Sequence, residues 1–124
     1  MESRLLTTLE LKVMNILWAE KKALVRDMIT HWPEQPRPAY NTVSTIVRIL
    51  EEKGFVAHES LGRSHAYYPL ITRSKYQQRM MRHMMDNVFS GSVTGMVSTL
   101  LDQRKMSPDE LQELRDLISQ SEKE

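Results

Sequence analysis

Apolar and polar positions alternate along this chain with two different periods, and the change from one to the other sets the expected fold. Leu9, Val13, Ile16 and Leu17 share one face of a first helix. Its start is marked by Thr7-Thr8-Leu9-Glu10, in which the Thr7 hydroxyl and the Glu10 carboxylate can satisfy each other's free backbone amides. A second, short helix is predicted over 24–32, with Leu24, Met28 and Trp32 spaced by four; Pro33, Pro36 and Pro38 forbid its continuation. A third, over 40–53, carries Val43, Ile46, Val47 and Leu50 as one buried stripe, and Gly54 ends it.

Past Gly54 the period drops to two. Residues 55–60 and 65–68 read as strands, joined by Leu61-Gly62-Arg63-Ser64 as a hairpin turn. A long helix over 73–89 then presents Tyr76, Met80, Met84 and Val88 at spacing four, with Met81 and Met85 widening the apolar face. Gly91 and Gly95 mark a break and a small-residue helix that ends near Leu101. Ser107-Pro108-Asp109-Glu110 combines an N-cap, a proline at the first helical position and a capping-box acid, announcing a last helix with Leu111, Leu114, Leu117 and Ile118 on one face. The expected fold class is mainly α with a small antiparallel β wing: a winged helix-turn-helix domain over 1–71, followed by a helical dimerisation domain over 72–124.

Composition narrows the function. With 124 residues the chain has room for one small domain and an extension, and 40% apolar with 27% charged residues is ordinary for a folded protein. The absence of cysteine removes disulfides, thiolate metal sites and a cysteine nucleophile together. His31, His58, His65 and His83 show no metal-ligand spacing and no accompanying carboxylate pair, so no metal, cofactor or catalytic group is expected. Neither an apolar signal core nor a membrane-length apolar run is visible, and the expectation is a cytoplasmic protein without membrane insertion.

Net charge is only +1, but it is unevenly distributed. Segment 37–50 holds Arg37 and Arg48 and no acid; segment 60–85 holds Arg63, Arg73, Lys75, Arg79 and Arg82 and no acid; acids dominate 102–124. Such polarity fits a DNA-facing half and a partner-facing half. Within the third helix, Asn41, Ser44, Thr45 and Arg48 share the side opposite the apolar stripe, with Thr42 beside them. A polar face opposite a buried stripe is what any surface helix has. This one differs in being small and uncharged except for Arg48, where an ordinary solvated face is rich in long salt-bridging side chains. In a major groove, Asn pairs with adenine, Arg with guanine, and a threonine methyl meets a thymine methyl. Gly62, Arg63 and Ser64 at the hairpin tip read either as a wing reaching a phosphate or minor groove, or as a solvated turn.

The tail is too small to enclose a good core alone, so Tyr76, Met80, Met84, Val88, Leu111, Leu114, Leu117 and Ile118 are expected to bury against a second copy. The partners expected are therefore double-stranded operator DNA and a homodimeric mate. A winged helix used as a protein-interaction module, or one that responds to a small molecule, is the alternative.

Leu9-Glu10-Leu11-Lys12-Val13-Met14-Asn15-Ile16-Leu17-Trp18, Tyr40-Asn41-Thr42-Val43-Ser44-Thr45, Glu52-Lys53-Gly54-Phe55-Val56, Tyr67-Tyr68-Pro69-Leu70 and Ser107-Pro108-Asp109-Glu110-Leu111 together resemble the BlaI/MecI penicillinase-repressor family, from about Leu6 to Ile118. The resemblance implies a homodimeric winged-helix repressor with interlocking C-terminal helices, bound to palindromic operators. In the antibiotic-responsive members it also implies a membrane sensor with a zinc protease domain, which triggers cleavage of the repressor in its dimerisation region. The corresponding bond here lies at Thr99-Leu100, where the cleaved relatives have Asn-Phe. A copper-sensing branch uses C-terminal cysteines, which this chain lacks. Ile49, beside Thr42 and Thr45, stands where some relatives have arginine.

Overall fold

Helix α1 (Thr8–Glu20) begins as its first tetrapeptide predicts: the Glu10 amide donates to the Thr7 hydroxyl, and the Thr7 amide to the Glu10 carboxylate. The computed structural model in which this is seen describes residues 5–123. Val13, Met14, Ile16 and Leu17 face the core, but Leu9, expected on that stripe, is 45% exposed. The capping box is the reason. It turns Glu10 inward, and Lys53 meets the buried carboxylate at 2.8 Å. Burial alone would raise the Glu10 pKa; the Lys53 and Thr7 hydrogen bonds and the Lys53 charge together bring it below its ordinary 4.5.

Helix α2 (Val25–Thr30) is shorter than the 24–32 predicted. The Leu24 amide donates to the Asp27 carboxylate at its start, and the chain leaves the helix at His31, so Trp32 reaches the core from the turn that follows. Helix α3 (Tyr40–Glu52) buries Val43, Ile46, Val47 and Leu50, the predicted stripe. Gly54 ends it with φ +87°, a conformation that costs glycine little, and the Phe55 amide returns to the Leu50 carbonyl.

Strands β1 (Val56–Leu61) and β2 (Ser64–Pro69) pair antiparallel with Leu61 opposite Ser64, leaving Gly62 and Arg63 as a two-residue turn. Gly62 takes φ +63° at the first turn position, where a side chain would be strained. Ala23, between α1 and α2, bridges to Tyr67 through two 2.9 Å backbone bonds and ties the wing to the helices. Alternation gives the hairpin two faces: His58, His65 and Tyr67 lie on one, Ala57, Glu59, Ala66 and Tyr68 on the other.

Helices α4 (Arg73–Asn87), α5 (Val93–Gln103) and α6 (Pro108–Glu122) complete the described chain. The Cα packing separates two compact units, 1–81 and 82–124, dividing within α4. In the first unit, Trp18 donates through Nε1 to the Ile71 carbonyl, and the Leu6 amide donates to the Tyr76 hydroxyl, fixing the start of α4 against α1. In the second, Ser92 caps α5 and Ser107 caps α6 in the capping box expected of Ser107-Pro108-Asp109-Glu110. The observed order, three helices, a hairpin and a helical tail, is the expected mainly α fold with a small antiparallel wing.

Candidate nucleic-acid interface

With the Val43–Leu50 stripe locked into the core, α3 has one rotational setting, and it presents Asn41, Thr42, Thr45, Arg48 and Ile49 as exposed residues, with Ser44 half-buried. The Arg48 guanidinium folds back along the helix to the Ser44 carbonyl and hydroxyl, both at 3.4 Å. Bonds of that length are weak, so the side chain is free to exchange them for a stronger acceptor. Among the described residues Arg48 has no carboxylate in ion-pair range. Glu51, one turn beyond Arg48 on the same side of the helix, is paired: both its carboxylate oxygens meet His58 Nδ1, at 2.8 and 3.0 Å. This bond fastens β1 to α3.

The wing tip closes toward the first turn of α3. Arg26, Tyr40, Ser44, Arg63, Ser64, and His65 line a polar cleft of about 200 Å³. Two guanidinium side chains thus share a hollow with hydroxyl donors, a set suited to phosphate oxygens. His65 stacks on His58 at 4.1 Å between ring centroids, which stiffens the wing on its α3 side. Burial pushes the Tyr67 phenol pKa up, with Glu51 adding to the rise.

Of the residues expected to meet DNA, the structure brings Ser44, Arg63 and Ser64 into one cleft and sets Asn41, Thr42, Thr45 and Arg48 on the adjoining face; Gly62 shapes the turn rather than lining the cleft. Arg26 and Tyr40 were not foreseen. Tyr40 is 58% exposed at the start of α3, a departure from the usual burial of aromatic residues that sequence pattern alone does not reveal. Arg26 joins only because α2 folds beside the wing tip.

The hairpin's other face borders a more open hollow of about 570 Å³, lined by Trp18, Lys21, Lys22, Tyr68, Leu70 and Arg73 among others. Arg73 lies over the Trp18 ring at 5.5 Å and Lys22 over the Tyr68 ring at 5.7 Å, so the chain's own cations already cover both aromatic faces. Among the described residues no group of three His, Cys, Asp or Glu side chains is placed to hold a metal ion, and no helix is long and apolar enough to cross a membrane.

The stripe expected at a dimer interface divides. Tyr76 is corrected: it is 5% exposed and packs inside its own chain, 5.9 Å from the Trp18 ring and edge-on to Phe55, because its hydroxyl accepts the Leu6 amide. Met80 also packs against that core. Met84, Leu111 and Leu114 are half-buried, while Val88, Leu117 and Ile118 are 66%, 68% and 54% exposed. Thr99 and Leu100 are exposed within α5.

A three-helix core, a two-stranded wing and an almost uncharged exposed helix face define a winged-helix DNA-binding regulator. The solved structure of the hsRosR-S4 complex shares this fold, with a TM-score of 0.54 and 13% identity, covering 96% of this chain and 91% of that one. The penicillinase repressor family model matches residues 6–120, and the chain belongs to that family, which is a repressor class and not a class of enzymes. It is 25% identical over 114 residues to the methicillin resistance regulatory protein MecI of Staphylococcus aureus strain N315, covering 92% of this chain and 93% of that protein. To the penicillinase repressor of Bacillus licheniformis it is 24% identical over 111 residues, covering 90% and 87%.

Proposed function

We propose that this protein is a cytoplasmic transcriptional repressor that binds palindromic operator DNA as a homodimer. The observation that carries the reading is the junction of an almost uncharged α3 face with the doubly cationic wing cleft, in a chain of the penicillinase repressor family. Asn41, Thr42, Ser44, Thr45 and Arg48 read base edges, and Arg63 with Ser64 and Gly62 at the wing holds the backbone; Arg26 and Tyr40 join the backbone contacts. Dimerisation is supported by the apolar residues that the second unit leaves exposed, Val88, Leu117 and Ile118 foremost. Two recognition helices then occupy successive major grooves, about 10 base pairs apart.

Release by proteolysis fits the exposure of Thr99 and Leu100, in the helix between the two apolar stripes. Since that bond lies inside α5, cleavage requires local opening of the helix. A membrane sensor-protease pathway is the partner this route calls for.

The test is fluorescence anisotropy with DNA from upstream of the protein's own gene and a scrambled duplex, each at two salt concentrations. Binding of two protomers to the native sequence alone supports the reading. Equal, salt-sensitive binding to both duplexes reduces the interaction to phosphate contacts, and no binding favours a protein-interaction module.

A further inference from the structure

The exposed side of α3 carries two parallel rows. Asn41, Ser44 and Arg48, at spacings of three and four, form a row of hydrogen-bonding groups; Thr42, Thr45 and Ile49, at the same spacings, form a row of methyl groups beside it. Ile49 is the anomaly. It is 36% exposed although α3 has a buried stripe available for apolar residues, and it stands on the face that is otherwise built for polar contact. Near it lie Thr45, Arg48, Glu51 and Glu52 around one open hollow.

We infer that Ile49, continued by the Thr45 and Thr42 methyls, is a specificity-determining surface that selects thymine in the operator half-site through its C5-methyl group. The inference rests on the reading of α3 as the recognition helix. In the major groove, thymine is the base that offers an apolar group; cytosine in its place offers a C–H and an amino donor. Ile49 can neither donate nor accept a hydrogen bond, so it contributes by removing apolar surface from water, which the thymine methyl offers and cytosine does not. The neighbouring row supplies the opposite chemistry, with Arg48 as guanine donor, so the two rows read different base types.

The probe is a duplex obtained by in vitro selection from a random library with the full-length protein. Each thymine of the selected half-site is then replaced singly by uracil, which removes only the methyl group. Burial of one methyl is worth about a fourfold change in affinity. The account expects at least one uracil substitution to weaken binding by about fourfold, and expects that penalty to shrink below about 1.5-fold in Ile49→Ala. Ile49 is exposed and alanine is a strong helix former, so the variant keeps its fold, which its melting temperature checks. Thr45→Ser, which keeps the hydroxyl and loses the methyl, relaxes a neighbouring position in the same way. Uracil penalties that are equal in the parent protein and Ile49→Ala, or a consensus without thymine, overturn the inference while leaving the DNA-binding reading intact. Selection of no consensus at all overturns both.

Discussion

The two units of the chain handle apolar residues in opposite ways. In the first, the α3 stripe of Val43, Ile46, Val47 and Leu50 is at most 8% exposed, and Val13, Met14, Leu17 and Met28 are sealed around it. In the second, neither α5 nor α6 buries a single residue among those described, and Leu117, Val88, Val93 and Ile118 each expose more than half their surface. Apolar residues at helical spacing occur in both. What differs is the supply of partners: α3 meets α1, α2 and the hairpin, whereas three short helices cannot surround one another's stripes. A periodic apolar stripe therefore states that something will cover it, and only the count of neighbouring elements states whether the cover comes from the same chain.

The largest expected effect breaks the first unit. Val47→Asp places a carboxylate where exposure is 0% and should cost more than about 4 kcal/mol, leaving residues 1–81 unfolded by circular dichroism and thermal melting. Leu117→Lys, by contrast, should leave the melting of the first unit within about 0.5 kcal/mol while converting dimers to monomers in sedimentation velocity. A drop in first-unit stability from Leu117→Lys, or a surviving dimer at micromolar concentration, would erase the contrast between the units.

A smaller effect concerns Glu10 and Lys53. Lys53→Met removes the partner of a buried carboxylate and should destabilise the first unit by roughly 1–3 kcal/mol near neutral pH. The Glu10 pKa is lowered on folding, so its contribution is present above 4.5 and is lost as pH falls through the folded value. Denaturant titrations between pH 7 and pH 3 should show the parent losing stability toward acid, with the slope reduced in Lys53→Met. Smallest is Tyr76→Phe, which leaves the Leu6 amide without its acceptor and should cost about 1 kcal/mol of first-unit stability with no change in oligomeric state. A shift to monomer in that variant would restore Tyr76 to the dimer interface.

Much of this was legible in the sequence, and the failures share a cause. Capping boxes at Thr7 and Ser107, the α3 stripe, the glycine stop at Gly54 and the hairpin around Gly62 are local signals, and the structure carries each of them. Leu9 was misplaced because periodicity gives it the same standing as Val13; the inward turn of Glu10 depends on Lys53, 43 residues away. Tyr76 was misplaced because its spacing to Met80 and Met84 is regular, while its partners Leu6, Trp18 and Phe55 come from other elements. Arg26 was missed for the same reason: α2 is six residues long, and its arginine gains meaning only beside Arg63. The recognition face was legible by composition, since the absence of acids over residues 40–50 is visible without coordinates. That Glu51 pairs with His58 was not.

The central claim is that α3 reads sequence while the wing supplies position. It is tested most directly by comparing Arg48→Ala with Arg63→Ala in anisotropy titrations on a selected and a scrambled duplex across a salt series. Arg48→Ala should cost roughly 1–3 kcal/mol on the selected duplex and little on the scrambled one, whereas Arg63→Ala should weaken both alike and reduce the salt slope by about one. Discrimination that survives Arg48→Ala unchanged would contradict the account, because the helix face on which it depends would then not be reading DNA.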